Sequence, residues 1–251
     1  MTTPDNDILT RALRRREALI ALGGFGVGAF LQACGSGGAS RASSVQRGAS
    51  TAAVCVLSPE VTEGPYYIAN HLTPRSITDH QPGLPLALYI RVVDASSCKP
   101  IEHADVEIWH ADAAGVYSGY SANVPPSGQP GGRAAPNNRK RFLRGHQRSD
   151  SDGRVLFDTI YPGWYSGRTP HIHIKVHVGG SVVHTGQLFF SDRTSDAVYG
   201  TPHYRTRGRP DTTNATDSIY AAAGGSKAKV DLTRRKGHKG LKGRITVGVA
   251  T

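Results

Sequence analysis

The chain has 251 residues, of which 38% are hydrophobic and 20% charged, so it can bury one core of roughly 200 residues and still carry tails. Its composition excludes a coiled coil, a collagen-like repeat and a polytopic membrane protein. The formal net charge is +11, and eight basic residues against one acidic residue lie within residues 227–244. No aromatic platform accompanies that charge, so we expect a solvated face or a weak attraction to anionic headgroups, and no nucleic-acid partner.

Residues 1–33 are predicted to be a signal peptide. Arg15 and Arg16 precede an apolar run over residues 18–31, which is too short to span a bilayer and resembles a twin-arginine signal. The run ends in Leu31-Gln32-Ala33-Cys34, which resembles a bacterial lipoprotein box. We therefore expect export to the bacterial cell envelope or periplasm with membrane attachment through a lipid on Cys34. The alternatives are secretion without an anchor and a buried N-terminal helix.

Residues 34–53 are predicted to form a flexible tether, and residues 54–251 a single domain. The tether is polar and has too little apolar surface to offset the entropy of ordering it. If Cys34 carries a lipid, Cys55 and Cys98 remain as an even pair in an oxidising compartment. They would form a disulfide between the start of the domain and its first strand region. The alternative is two buried thiols.

Short β-rich segments recur between turn signals in the domain. The pattern predicts strands over residues 86–94, 104–110, 153–160, 171–178, 181–190 and 244–249. A loop rich in Pro, Gly and Asn is expected over residues 122–138, and one helical turn near residues 218–223. These elements indicate an all-β fold, an antiparallel β-sandwich with long functional loops and little helix.

Two histidines share one face of a predicted strand. His171 and His173 are two residues apart in an alternating apolar segment, so their imidazoles project from the same side and can bind one metal ion. Lys175 and His177 continue along that side, so a merely polar strand face is the alternative interpretation.

Tyrosines and an arginine lie in loops around this strand. Tyr165 and Arg168 follow Pro162 and Gly163, which force a turn just before His171. A second loop, Gly115-Val116-Tyr117-Ser118-Gly119-Tyr120, follows the strand that ends at residue 110. Packing is the alternative role for any one of these tyrosines.

Four ordered blocks together resemble the intradiol ring-cleavage dioxygenases, a family that includes catechol 1,2-dioxygenase and protocatechuate 3,4-dioxygenase. They are E-G-P-Y-Y (residues 63–67), I-W-H-A-D with G-V-Y-S (residues 108–118), D-x-x-G-x-x-x-F-x-T-I-x-P-G-x-Y (residues 150–165) and R-x-P-H-I-H (residues 168–173). The strand T-G-Q-L-F-F (residues 185–190) is also similar to that family. The resemblance covers about residues 55–250 and implies an oxidoreductase of aromatic compound catabolism.

The resemblance implies a non-haem Fe(3+) cofactor with four protein ligands, namely Tyr117, Tyr165, His171 and His173. Tyr120 competes with Tyr117, but only Tyr117 lies in the G-x-Y-S context. A catechol-type substrate would bind the metal through both hydroxyl oxygens and displace Tyr165, and O2 would be inserted between the hydroxyl-bearing carbons to give a cis,cis-muconate. Arg168 would stabilise negative charge that develops on the substrate. Gln187 would lie behind the ligands, and residues 63–66 would form a pocket wall or simply pack.

Some features depart from the family pattern. Only Ser166 and Gly167 separate Tyr165 from Arg168, and the long N-terminal dimerisation segment of the catechol enzymes is absent, so a homodimer is left open. The export signal and the short loop favour an exported single-chain subgroup that acts on plant-derived catechols. The alternatives are a copper or zinc oxidoreductase that uses the same ligands and a non-catalytic envelope β-sandwich that serves as a binding or carrier module.

Overall fold

A computed structural model of the protein describes residues 55–121, 133–235 and 237–251. Most regular structure in these residues is extended, in eight strands: β1 (Pro85–Asp94), β2 (Asp105–Trp109), β3 (Arg144–Arg148), β4 (Arg154–Ile160), β5 (His171–Val178), β6 (Ser181–Phe189), β7 (Asp231–Arg234) and β8 (Leu241–Val249). The helical elements are short, namely α1 (Asp192–Tyr199), α2 (Ser218–Ala222) and a 3-10 turn (Gly225–Ala228). The predicted signal peptide, the tether and Cys34 lie outside the described residues and stay predictions.

The strands form two four-stranded sheets. Sheet A has the order β4-β1-β8-β7, and sheet B has the order β3-β2-β5-β6. All pairs are antiparallel except β1 with β8, which run parallel in sheet A. The described residues therefore confirm the predicted all-β sandwich with little helix, and they add one parallel pair at the centre of sheet A.

The core lies between the inner faces of the two sheets. Aliphatic residues alternate along β1 and β5, so one face of each strand is buried against the other sheet. This inner layer contains Leu88, Ile90, Val106, Ile108, Ile172, Ile174 and Val176. The same alternation directs Trp109, His171 and His173 to the outer face of sheet B, where loops cover them.

Six strands and the turn that becomes α2 lie where the sequence pattern places them, whereas β3, β7 and α1 were not predicted. β3 has the sequence Arg-Gly-His-Gln-Arg and β7 is only four residues long, so neither shows apolar alternation. α1 spans eight residues, too few for a sustained helical period. Its start is instead marked by Ser191, whose hydroxyl accepts a hydrogen bond from the backbone N–H of Thr194.

A disulfide joins Cys55 to Cys98, with 5.3 Å between their Cα atoms. It links the start of the described chain to the turn after β1. Of the two interpretations of the sequence, a disulfide or two buried thiols, the structure has the disulfide. Structural disulfides are typical of oxidising compartments, and export of the protein stays a prediction. Separately, none of the helices in the described residues is both long and apolar enough to cross a bilayer.

Replacing Cys55 by serine is expected to lower the free energy of unfolding by about 2–4 kcal/mol. The disulfide closes a loop across a sequence separation of 43 residues and so restricts the unfolded chain. Urea denaturation without reductant, with wild type beside the variant, measures the loss. Reductant should reduce the stability of the wild type to that of the variant and leave the variant unchanged. Equal stability of the variant and the oxidised wild type would contradict the prediction.

Candidate active site

The outer face of sheet B carries the candidate site at the end where β2 finishes and β5 begins. His173 on β5 lies opposite Trp109 on β2 in the strand register. The two rings stack, with centroids 4.8 Å apart and planes 4° from parallel. This packing fixes the plane of the His173 imidazole, and the strand alternation places His171 beside it.

Two loops that interlock bring Tyr117 and Tyr165 to the same place. A Cβ atom on Gly163 would overlap the carbonyl oxygen of Asp112, and a Cβ atom on Gly115 would overlap that of Trp164. Gly115 also has a φ of +84°, which other residues rarely adopt. The glycines of the G-V-Y-S and P-G-W-Y motifs are therefore needed for the close approach of the two tyrosine loops.

Arg144 holds the loop that carries Tyr117 through hydrogen bonds to Ser118. Its Nε donates to the hydroxyl of Ser118 at 2.9 Å, and its Nη2 donates to the Ser118 carbonyl oxygen at 2.8 Å. Arg144 is buried, and burial lowers its pKa to about 10. The neighbouring Tyr117 is 1% exposed, so the loop delivers a phenol into the protein interior.

Four polar atoms converge at this place. Tyr117 Oη lies 3.0 Å from His173 Nε2 and 3.3 Å from His171 Nε2. Tyr165 Oη lies 3.3 Å from His171 Nε2, and the two imidazole Nε2 atoms are 3.2 Å apart. Four side chains from β5 and two separate loops thus direct their donor atoms at one point.

The imidazoles are held in the form that binds a cation. His171 Nδ1 lies 2.7 Å from the carbonyl oxygen of Thr169, so it carries the proton and Nε2 presents a lone pair to the cluster. Burial, and after it the charge of Arg168, lowers the pKa of His171 and of His173 well below the usual range, so both are neutral. His173 Nδ1 is buried and has no hydrogen-bond partner within the part of the chain that the structure describes.

The phenols differ in their surroundings. Burial raises the pKa of Tyr117 well above its usual value and also raises that of Tyr165. Tyr165 is the more accessible of the two, being only partly buried, and Arg168 beside it opposes the shift. A cation is therefore needed to hold these groups as phenolates near neutral pH, and two phenol oxygens with two neutral imidazoles are a suitable ligand set.

Tyr120, the competing tyrosine, points elsewhere. Its hydroxyl donates to the carbonyl oxygen of Ala134 at 3.1 Å, and its ring packs edge-on against Tyr66 at 5.0 Å between centroids. The geometry therefore favours Tyr117 as the ligand from this loop. His110, the histidine of the I-W-H-A-D block, is also outside the cluster, because its nitrogens lie 2.9 Å from Ala111 O and 2.8 Å from Thr159 Oγ1.

Arg168 lies beside the cluster in a fixed position. Its Nε donates to Asp217 Oδ2 at 2.9 Å, and its Nη2 donates to Gln187 Oε1 at 2.5 Å. Gln187 is itself oriented by a hydrogen bond from its Nε2 to the carbonyl oxygen of Thr62 at 3.1 Å. The Arg168 side chain is 14% exposed, so a pre-positioned and mostly buried positive charge lies beside the cluster.

Residues 63–67 both pack and line the site. Gly64 lies against His173, since a Cβ atom there would be 3.0 Å from His173 Cε1. Tyr66 stacks on Tyr117 with centroids 4.8 Å apart. Glu63 anchors the segment through an ion pair with Lys175, which follows the two histidines on the same strand face. The E-G-P-Y-Y block is thus a wall of the site held by packing.

No carboxylate cluster of the described residues defines this site. Among the described residues, no group of three or more His, Cys, Asp or Glu side chains is placed to hold a metal ion; the convergent set has two histidines, and its other donors are phenols. A cavity of about 400 Å³ lies elsewhere, lined by residues 55–59, β8 and part of β6, and Gln187 reaches both places. Convergence of donors therefore identifies the site better than cavity volume does.

Comparisons with known proteins relate this chain to one family of enzymes. A family model described as "Dioxygenase" matches residues 62–195. The structure is similar to that of an intradiol ring-cleavage dioxygenase from Tetranychus urticae, with 34% sequence identity, a TM-score of 0.72, and coverage of 78% of this chain and 95% of that one. The chain belongs to the intradiol ring-cleavage dioxygenase family. The family resemblance read from the four sequence blocks is confirmed.

Two further relatives have lower sequence identity. The dioxygenase domain of a dioxygenase and carbohydrate-binding protein fusion from Streptomyces sp. SirexAA-E has 26% identity and a TM-score of 0.55, with coverage of 78% of this chain and 99% of that one. A chlorocatechol 1,2-dioxygenase of Cupriavidus pinatubonensis is 26% identical over 152 residues, which is 51% of this chain and 52% of that protein. The chain thus spans about half the length of the curated relatives that it matches.

The structure brings together every predicted site residue, namely Tyr117, Tyr165, Arg168, His171 and His173. Sequence reasoning missed others that hold this intradiol family site in shape. Asp217 and Arg144 are buried charged residues that act through long-range contacts, and neither lies in one of the four sequence blocks that resemble the family. For Asp217 a local signal did exist, because an aspartate just before a helical turn is typical of an N-cap.

Proposed function

We propose that this family member is a non-haem iron(III) dioxygenase. It cleaves a catechol-type ring between the two hydroxyl-bearing carbons with both atoms of O2 and releases a cis,cis-muconate-type product. The observation that carries the proposal is the convergence of Tyr117, Tyr165, His171 and His173 within 3.0–3.3 Å contacts. Membership of the family and the activities after which its relatives are named support the proposal.

The donor set favours iron(III) over other ions. Phenolate is a hard, anionic oxygen ligand, and two of them with two imidazoles suit a trivalent ion better than copper(I) or zinc. When bound, the ion would act as a Lewis acid that holds both catechol oxygens and draws electron density from the ring. Tyr117, Tyr165, His171 and His173 would be its protein ligands.

The protein side chains supply proton transfer and orientation. Tyr165 is the more exposed of the two phenols, so it would be the ligand that gives way to the substrate; its Oη would take one of the two catechol protons, and the other would pass to solvent. Tyr117 is buried and stacked on Tyr66, so it stays in place. The Arg168 guanidinium is held by Asp217 and Gln187, and it would stabilise negative charge that develops on the substrate ring.

A visible absorption spectrum of the iron(III)-loaded protein, before and after anaerobic catechol, tests the proposal. A tyrosinate-to-iron band should colour the protein, and catechol should shift the band to longer wavelength as it displaces Tyr165. Admission of air should then consume one O2 for each muconate formed. Resorcinol, whose hydroxyls cannot both reach one ion, is the matched control and should leave the band in place. A protein that stays colourless after iron loading would overturn the proposal and favour the non-catalytic binding module.

A further inference from the structure

A segment distant in sequence holds the short loop that carries Arg168. We call residues 211–217 the strap; its Asp211, Asn214 and Asp217 are spaced three residues apart. All three side chains bind residues 166–169, across sequence separations of 44 to 49 residues. Only two residues separate Tyr165 from Arg168, so the loop cannot form much internal structure of its own, and the strap provides its partners.

The first two strap contacts fix the backbone of the loop. Asp211 accepts hydrogen bonds from the hydroxyl of Ser166 at 2.7 Å and from the backbone N–H of Gly167 at 3.1 Å. Asn214 accepts one from the hydroxyl of Thr169 at 3.0 Å, and its Nδ2 donates to Phe190 O at 2.7 Å. These bonds tie the loop to the end of β6.

Asp217 makes the contact closest to the site. Its Oδ2 accepts from Arg168 Nε at 2.9 Å and from the Thr169 backbone N–H at 3.0 Å. Its Oδ1 caps α2 by accepting from the backbone N–H groups of Ile219 and Tyr220. The Asp217 side chain is 1% exposed, so its carboxylate has exchanged water for four protein donors.

The position of this carboxylate has two consequences for the site. The Arg168 guanidinium is bound by Asp217 at Nε and by Gln187 at Nη2, so elements from two parts of the chain fix its plane. Asp217 also binds the N–H of Thr169, whose carbonyl oxygen lies 2.7 Å from Nδ1 of His171. One buried carboxylate therefore orients both Arg168 and the residue that sets the tautomer of His171.

We propose that Asp217 is a positioning residue for ring cleavage, which fixes the Arg168 guanidinium against the substrate while Asp211 and Asn214 hold the loop around it. The inference rests on the proposed function. Fixed dipoles and charges stabilise a transition state most when they need not reorganise during the reaction. Loss of Asp217 should therefore lower turnover rather than weaken the binding of catechol, which the metal ligands provide.

The test is Asp217→Asn in the iron-loaded enzyme. Asparagine has a similar size, but its amide can present only one acceptor oxygen, so the Arg168 Nε or the α2 cap loses its partner. We expect kcat to fall by about 10- to 100-fold with KM and the tyrosinate-to-iron band unchanged. In an Arg168→Met background, the same change should have no further effect on kcat, because there is no guanidinium left to position.

Asp105→Asn is the matched control. Asp105 pairs with Arg148 Nε at 3.0 Å, close to the 2.9 Å between Asp217 and Arg168, but the pair is more exposed and lies at the opposite end of β2 from Trp109. This variant should keep the wild-type kcat. An unchanged kcat in Asp217→Asn, or an equal loss in the Arg168→Met background, would overturn the inference.

Two further measurements separate the inference from other failures. If wild type shows no ring cleavage, the proposed function fails, and a crystal structure of Asp217→Asn decides the inference alone: an Arg168 side chain in its original place overturns it, and a displaced one supports it. If Asp217→Asn does not fold, Asp217→Glu retains the carboxylate but shifts it by one methylene. That variant should lower kcat with KM unchanged, and a wild-type kcat would overturn the inference.

Discussion

Replacing His171 by alanine is expected to remove the bound iron, the visible colour and the ring-cleavage activity together. Its Nε2 is the centre of the cluster, at 3.3 Å from both phenol oxygens and 3.2 Å from His173 Nε2. Substitution of a residue that only supports a metal ligand typically lowers metal affinity or activity by about 10–100-fold. Loss of the ligand itself should therefore lower iron affinity and activity by more than about 100-fold. Iron content, the tyrosinate band and O2 uptake measure the three effects.

His184→Ala provides the control for loss of a buried imidazole. His184 lies on β6 of the same sheet and is 3% exposed, and burial lowers its pKa as it does that of His171. It lines the separate cavity and lies outside the convergent cluster. This variant should bind iron and retain its colour. Full iron content and full activity in His171→Ala would show that the assigned ligand set is wrong.

The candidate ligand set could be predicted from the sequence because the motifs that carry the family resemblance are short and local, although no single one of its residues identifies a metal ligand by itself. Strand alternation places His171 and His173 on one face without any knowledge of the fold. The glycines near Tyr117 and Tyr165 mark loops, and the structure gives the reason, since Gly115 and Gly163 pack against the backbone of the opposite loop. Constraints of this kind act over a few neighbouring residues, so they can be recognised in the sequence.

The supporting contacts are not readable in the same way because they join distant positions. Asp217 reaches Arg168 across 49 residues, and the Glu63 carboxylate reaches Lys175 across 112. In the sequence only the G-x-Y-S context favours Tyr117 over Tyr120. The tertiary structure separates them directly, because Tyr120 Oη donates to Ala134 O whereas Tyr117 Oη lies 3.0 Å from His173 Nε2. Sequence patterns also miss polar strands such as β3, for a related reason. Pairing with the neighbouring strand stabilises β3, and its own sequence has no apolar alternation.

The two faces of sheet B divide stability from chemistry. Ile172 and Ile174 belong to the core between the sheets, whereas His171 and His173, interleaved with them, carry the candidate chemistry on the outer face. A one-residue slip of β5 would exchange the two sets. The aliphatic core therefore fixes the register on which the candidate metal ligands depend.

Replacing Arg168 by methionine is expected to lower kcat by about 10²–10³-fold, the cost of removing one fixed donor to developing negative charge. Iron content and the tyrosinate band should be retained, because Arg168 is not a ligand. Steady-state O2 uptake, with the visible spectrum recorded on the same sample, separates this outcome from the loss of metal expected in His171→Ala.

The Arg168→Met variant should also be less stable, because it leaves Asp217 as a buried, unpaired carboxylate. Breaking a buried ion pair by removing one partner costs about 3–5 kcal/mol, and the Asp217 side chain is 1% exposed. Arg168→Met with Asp217→Asn removes both charges and should recover part of that stability without recovering kcat. A double variant that regained turnover would show that Arg168 serves the fold alone, whereas stability without turnover separates its two roles.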